Sequence, residues 1–157
     1  MPTEIKQLYT SGEFTITGLA GLVSSSSVAP TGWQSNLVDN TTTRFGSVLV
    51  YAKATQGITP TANRNAYVFL VRGELNGHVT DGQATGQALH NVKNANYMGA
   101  MSNTNNAVTN GVLYGEFLIN EPGPRFGVTI SHDTAVAFNT TGNTHYVRYV
   151  GINPESQ

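Results

Sequence analysis

The feature that most constrains this chain is a recurring run of short apolar segments with a period of two, each closed by turn residues, from Trp33 to the C-terminus. FGSVLVYAKA (45–54) sets Val48, Val50, Ala52 and Ala54 on one face and Leu49 and Tyr51 on the other. AYVFLVRG (66–73) is apolar on both faces until Arg72, as in a strand buried from two sides. VLYGEFLI (112–119) groups Leu113, Phe117 and Ile119 and turns Glu116 away. RFGVTIS (125–131) alternates Phe126, Val128 and Ile130 against Arg125, Gly127, Thr129 and Ser131. TAVAF (134–138) and HYVRYVGI (145–152) complete the series, and all six are expected to be strands.

The connections carry matching chemistry. VDNTTT (38–43), QGITPTANRN (56–65), NEPGPR (120–125) and FNTTGN (138–143) are clusters of Asn, Gly, Pro and Thr, which favour turns. Short strands at this spacing predict an all-β sandwich or barrel. The stretch 76–110 is the least regular. Leu89, Val92 and Tyr97 stand at helix-like spacing, but Asn91, Asn94 and Asn96 oppose a helix, so a long loop with a short strand or helical turn is expected.

Residues 1–34 read differently. Glu13–Thr17 alternates, with Phe14 and Ile16 on one side, and a run of four serines then leads to Pro30-Thr31-Gly32. This predicts an N-terminal arm or edge strand with a Ser-rich connection, ahead of a sandwich domain over 35–157. A first strand of the main sheet is the alternative. Trp33, the single tryptophan, is either a core plug that packs the arm onto the domain or an interface anchor.

Charge narrows the function. Lys and Arg number 8 against 9 Asp and Glu, 11% of the chain, while Thr, Asn, Ser and Gly together make 63 of the 157 residues. The basic residues are scattered, so the electrostatic term that drives nucleic-acid binding is missing and no direct nucleic-acid partner is expected. The N-terminal segment lacks a basic stretch followed by an apolar core, and its longest apolar piece, Leu19–Val23, is too short to cross a bilayer. No membrane association is expected, and the chain is placed in the cytoplasm during synthesis. Without cysteine there is neither a disulfide nor a thiolate site.

Motifs for chemistry are sparse. His78, His90, His132 and His145 could join Asp81 or Asp133 at a metal, but no close ligand spacing is present, and no metal or other cofactor is expected. There is no GxSxG, and Ser47 stands where a strand residue would, without a partner. DGQATGQ (81–87) lacks the Lys-Ser/Thr of a phosphate loop. Glu116 and Glu121 read as a strand residue and a turn residue rather than a glycosidase pair. No catalytic residue is assigned. The Asn-Thr-Thr triplets at Asn40 and Asn139 match a glycosylation pattern, which carries little weight without a secretory signal. Neutral polar residues cost less to desolvate than Lys or Glu, so the composition favours docking to other proteins.

The C-terminal third, through FGVTISHDTAVAF, the TTGN turn and HYVRYVGIN, together with SNLVDNTTTRFGSVLVYAKA, is similar to tailed-bacteriophage capsid decoration (cement) proteins with a jelly-roll β-sandwich. The similarity covers roughly 35–154 and rests on strand pattern. It implies an all-β jelly-roll-like sandwich that acts without catalysis on the outside of a capsid, bound to the major capsid protein as a homotrimer. The location implied is the virion, after host cytoplasm during assembly. Phe14, Ile16, Trp33, Tyr97 and Met98 are the interface candidates, and residues 1–30 are expected to face the capsid or bridge subunits, separably from the sandwich. A phage tail or tail-fibre module is an alternative. A carbohydrate-binding sandwich, with Trp33, Tyr97 and Tyr114 as stacking residues, is another.

Overall fold

The computed structural model describes residues 5–25, 31–61, 64–75, 78–79, 89–91, 96–102 and 109–156. Among the described residues ten strands follow one another: β1 (Ile5–Glu13), β2 (Thr31–Gln34), β3 (Val38–Asp39), β4 (Ser47–Thr55), β5 (Asn65–Gly73), β6 (Leu89–Asn91), β7 (Asn96–Ser102), β8 (Val112–Asn120), β9 (Arg125–His132) and β10 (Tyr146–Ser156). They form two antiparallel sheets. One has the order β1-β10-β4-β8; the other runs β6-β2-β9-β5-β7, with β3 paired to β9. When the short β3 and β6 are set aside, the remaining strands, counted in chain order, lie 1-8-3-6 in one sheet and 2-7-4-5 in the other. That is the strand order of a jelly roll.

The core lies between the sheets. Val48, Val50, Ala52 and Ala54 from β4 meet Phe126, Val128 and Ile130 from β9, all of them fully buried. Leu113, Phe117 and Ile119 of β8 join them, as their spacing predicts. Asn40 is buried where its loop turns. Its side chain accepts the Phe45 N–H (2.7 Å) and donates to the Gly123 carbonyl (2.9 Å), so this triplet asparagine is used inside the fold.

The N-terminus departs from its expected layout. The strand lies upstream of the alternating residues, ending at Glu13, and Phe14 turns inward with its N–H on the Val147 carbonyl (2.9 Å). Phe14, Leu19 and Leu22 are core residues, and Ile16 packs against the core. β2, which contains Trp33 and ends at Gln34, pairs with β9 and β6 inside the second sheet, so a boundary at residue 34 separates β2 from its ladder partners. A truncation of residues 1–30 would therefore take three large side chains out of the core, contrary to the expectation of a separable arm.

Two further expectations are corrected. TAVAF is not a strand. Ala135 has φ 67°, its N–H is held by Ser24 Oγ (3.0 Å), and only Phe138 makes a bridge, to Gln56. In the irregular stretch, β7 is a full strand despite its Asn and Gly, because pairing with β5 across a bulge at Val68/Phe69 outweighs local propensity. Gly99 sits at that bulge, where an added Cβ would lie 2.8 Å from the Phe117 ring. Asp81, DGQATGQ and Val92 fall outside the described residues.

Candidate functional site

The two sheets place the sequence-selected residues very differently. Phe14 stacks edge-on against Phe126 (6.1 Å between ring centres) and tilts against Tyr149 (5.1 Å). Trp33 is 1% exposed, and its indole N–H donates to the Thr17 carbonyl (2.9 Å), which ties segment 14–25 to the second sheet. Placed this way, neither Phe14 nor Trp33 offers surface to a protein or a sugar. Ile16 and Met98 are partly buried against the core. Tyr97 is the exposed member of the set, on the outer face of the second sheet beside Phe69 (5.7 Å) and Tyr67 (6.4 Å). The Tyr67 hydroxyl donates to Asp133 (3.0 Å). Desolvation, and then that carboxylate, raise its pKa.

β1 and β8 are the two edges of the first sheet, and β1 is the more exposed of the two. From Gln7 to Glu13 every residue except Gly12 is exposed, on both faces of the strand, including Leu8 (52%) and Tyr9 (60%). β4 pairs with β10 no further than Ser47↔Ile152, whereas β1 continues to Ile5↔Ser156. Ile5–Leu8 and Asn153–Ser156 thus make a two-stranded ribbon beyond the four-stranded sheet. Its hydrogen-bond phase follows from the ladder. Phe14 bonds to Val147, so with a period of two Gly12, Thr10 and Leu8 turn their main-chain groups to β10. Gln7, Tyr9, Ser11 and Glu13 turn theirs outward. Neither proline nor bulge blunts this edge, which is the usual protection of an edge strand.

The outer face of the same sheet carries a shallow concavity of about 630 Å³. Register builds it. Glu13, Arg148, Tyr51 and Glu116 lie in one row across four strands, and Tyr146, Lys53 and Tyr114 lie in the next. Arg148 Nε meets Glu13 Oε1 at 2.7 Å, with the guanidinium 4.7 Å above the Tyr146 ring and Lys53 Nζ 5.7 Å from it. The Tyr114 hydroxyl donates to Glu116 Oε1 (3.1 Å), and its pKa is pushed up to about 12, first by desolvation and then by that carboxylate. Of the three tyrosines, Tyr114 is the one named from sequence as a stacking residue. Tyr51 and Tyr146 carried no signal, since only strand register brings the three together.

Two of the histidines, His132 and His145, serve the fold. His132 stacks on Phe138 (4.0 Å, 14°), with Nε2 on the Leu22 carbonyl (2.9 Å) and Nδ1 by Thr134 Oγ1 (2.9 Å). His145 accepts the Thr55 N–H at Nδ1 (3.2 Å) and points Nε2 at the Asn139 carbonyl (2.8 Å), which fixes the proton of the neutral ring on Nε2. Burial lowers the pKa of both. Among the described residues no group of three His, Asp or Glu side chains is arranged to hold a metal ion.

Compared with known proteins, the chain matches no family model, no curated protein and no solved structure.

Proposed function

We propose that this jelly roll is a bacteriophage virion structural protein, a decoration protein that docks on the outer surface of the major capsid protein through the open edge of β1. The reading is non-enzymatic and includes a homotrimer on the capsid. The observation that supports it is an edge strand exposed on both faces from Gln7 to Glu13, apart from Gly12, whose outward amides and carbonyls are set to take up a partner strand. Strand addition draws affinity from main-chain hydrogen bonds, so it suits a surface with few charges. Leu8 and Tyr9 would supply the apolar contacts on either side of the added strand. Three linked copies would then gain avidity without further contacts.

The experiment mixes purified protein with expanded, undecorated capsids and images the product, beside a Ser11→Pro variant. Proline at 11 removes one outward N–H and leaves the β10-facing groups of Thr10 and Gly12 in place. Ordered density in threes from the native protein, and its loss in the variant with thermal unfolding unchanged, is the expected result. Bare capsids with native protein, or full decoration by Ser11→Pro, would overturn the reading.

A further inference from the structure

We propose that the concavity over Tyr51, Tyr114 and Tyr146 is a binding site for a neutral oligosaccharide. This goes beyond capsid docking, because it uses side chains on the outer face of the four-stranded sheet, Glu13 of β1 among them, rather than the outward main-chain groups of the β1 edge. Three observations converge. The hollow, about 630 Å³, falls within the range of roughly 300–1,000 Å³ usual for small-molecule sites. It is walled by tyrosines whose rings reach solvent, with Tyr114 45% exposed, and the π-face of such a ring attracts the weakly positive C–H face of a sugar.

The polar groups select the ligand class. Two cations, Arg148 and Lys53, stand among two carboxylates, Glu13 and Glu116, in adjoining rows, so the local charge sums to zero. An anion drawn to Arg148 meets Glu13 2.7 Å from the guanidinium, and a cation drawn to Glu13 meets Arg148. Hydroxyl groups suit both partners, since they donate to carboxylates and accept from the guanidinium. The tyrosine hydroxyl of Tyr114 stays protonated at neutral pH and keeps its own donor on Glu116. The open shape fits a chain of several sugar units lying across the strands better than a single enclosed ring.

The test is a titration of isotope-labelled full-length protein with three neutral hexasaccharides, maltohexaose, cellohexaose and chitohexaose, to about 10 mM, a range that captures weak binding. The expected result is saturable shift changes confined to Tyr51, Tyr114, Tyr146 and Arg148 for at least one of them. Tyr114→Ala and Tyr51→Ala should each weaken that binding roughly tenfold, and Tyr97→Ala, on the opposite sheet, should leave it unchanged. Four results would overturn the proposal: no shift with any neutral hexasaccharide, shifts outside the concavity, tighter binding of a sulfated hexasaccharide than of every neutral one, or full binding by both tyrosine variants. Capsid attachment by the tyrosine variants separates this proposal from the docking reading, since it should persist when sugar binding is lost.

Discussion

Two neighbouring stretches of the N-terminus, β1 and segment 14–25, are held by opposite means. β1 shows solvent on both faces from Gln7 to Glu13, apart from Gly12, and is tied to the molecule by its ladder with β10. The next residues sink Phe14, Leu19 and Leu22 into the core and are stitched across the sandwich by Trp33 to Thr17, Leu22 to Phe138 and Ser25 to His132. The difference teaches that the break between anchor and edge falls at Glu13–Phe14, well before the serine run that composition marks as a joint. A strand without buried side chains adds little hydrophobic stabilisation, yet its open main-chain groups are available to a partner.

The sharpest way to break the comparison is to empty the anchor. Phe14→Ala should cost about 3–5 kcal/mol, because a buried ring that meets Phe126 and Tyr149 leaves a cavity. Chemical denaturation measures it, and a loss as small as that of a surface substitution would contradict the burial of this segment. Acid should act next, on the end of the sandwich where segment 14–25 is fastened. His132 and His145 have folded pKa values below the ordinary 6.5, so the unfolded chain binds more protons below that pH. Their contribution is complete above about 6.5 and is lost as pH falls toward the folded values. Denaturation midpoints between neutral and mildly acidic pH should decline, and His145→Gln should flatten the decline; a midpoint that rises with acid contradicts the sign.

Substitutions on β1 should be nearly silent in the free protein. Leu8→Ser with Tyr9→Ser is expected to change unfolding by about 0.5 kcal/mol or less, despite removing two large apolar side chains. Glu13→Gln, which breaks the exposed pair with Arg148, should cost no more than about 1 kcal/mol. A large loss from either would mean that β1 is anchored by its side chains.

What could be read in advance follows the same division. β4, β5, β8, β9 and β10 were legible as apolar runs rich in β-branched and aromatic residues, with one face buried in β4 and β8 and nearly every residue buried in β9. β1 was not, because its stretch from Gln7 to Glu13 has no buried face to impose a pattern, while the real alternation of Phe14 and Ile16 belongs to a segment folding into the core. β7 was hidden for another reason: NYMGAMS gains its strand conformation from β5 and a bulge. Thr129 and Ser131 alternate as outward residues but are buried, with hydroxyls that lack a partner, a feature of β9's central place in the second sheet that no local pattern encodes. Of the tyrosine concavity, Tyr114 could be named from sequence. Tyr51 and Tyr146 lie far from it along the chain and reach it only through the β10-β4-β8 register.

The most direct measurement is amide hydrogen exchange on the free protein and on the protein bound to expanded capsids. In the free protein, the amides of Gln7, Tyr9, Ser11 and Glu13 should exchange rapidly, while those of Phe14 and Leu22 exchange only with global unfolding. On the capsid the four outward amides should become protected. Capsid-bound protein in which they still exchange as fast as in solution would contradict the role given to the β1 edge.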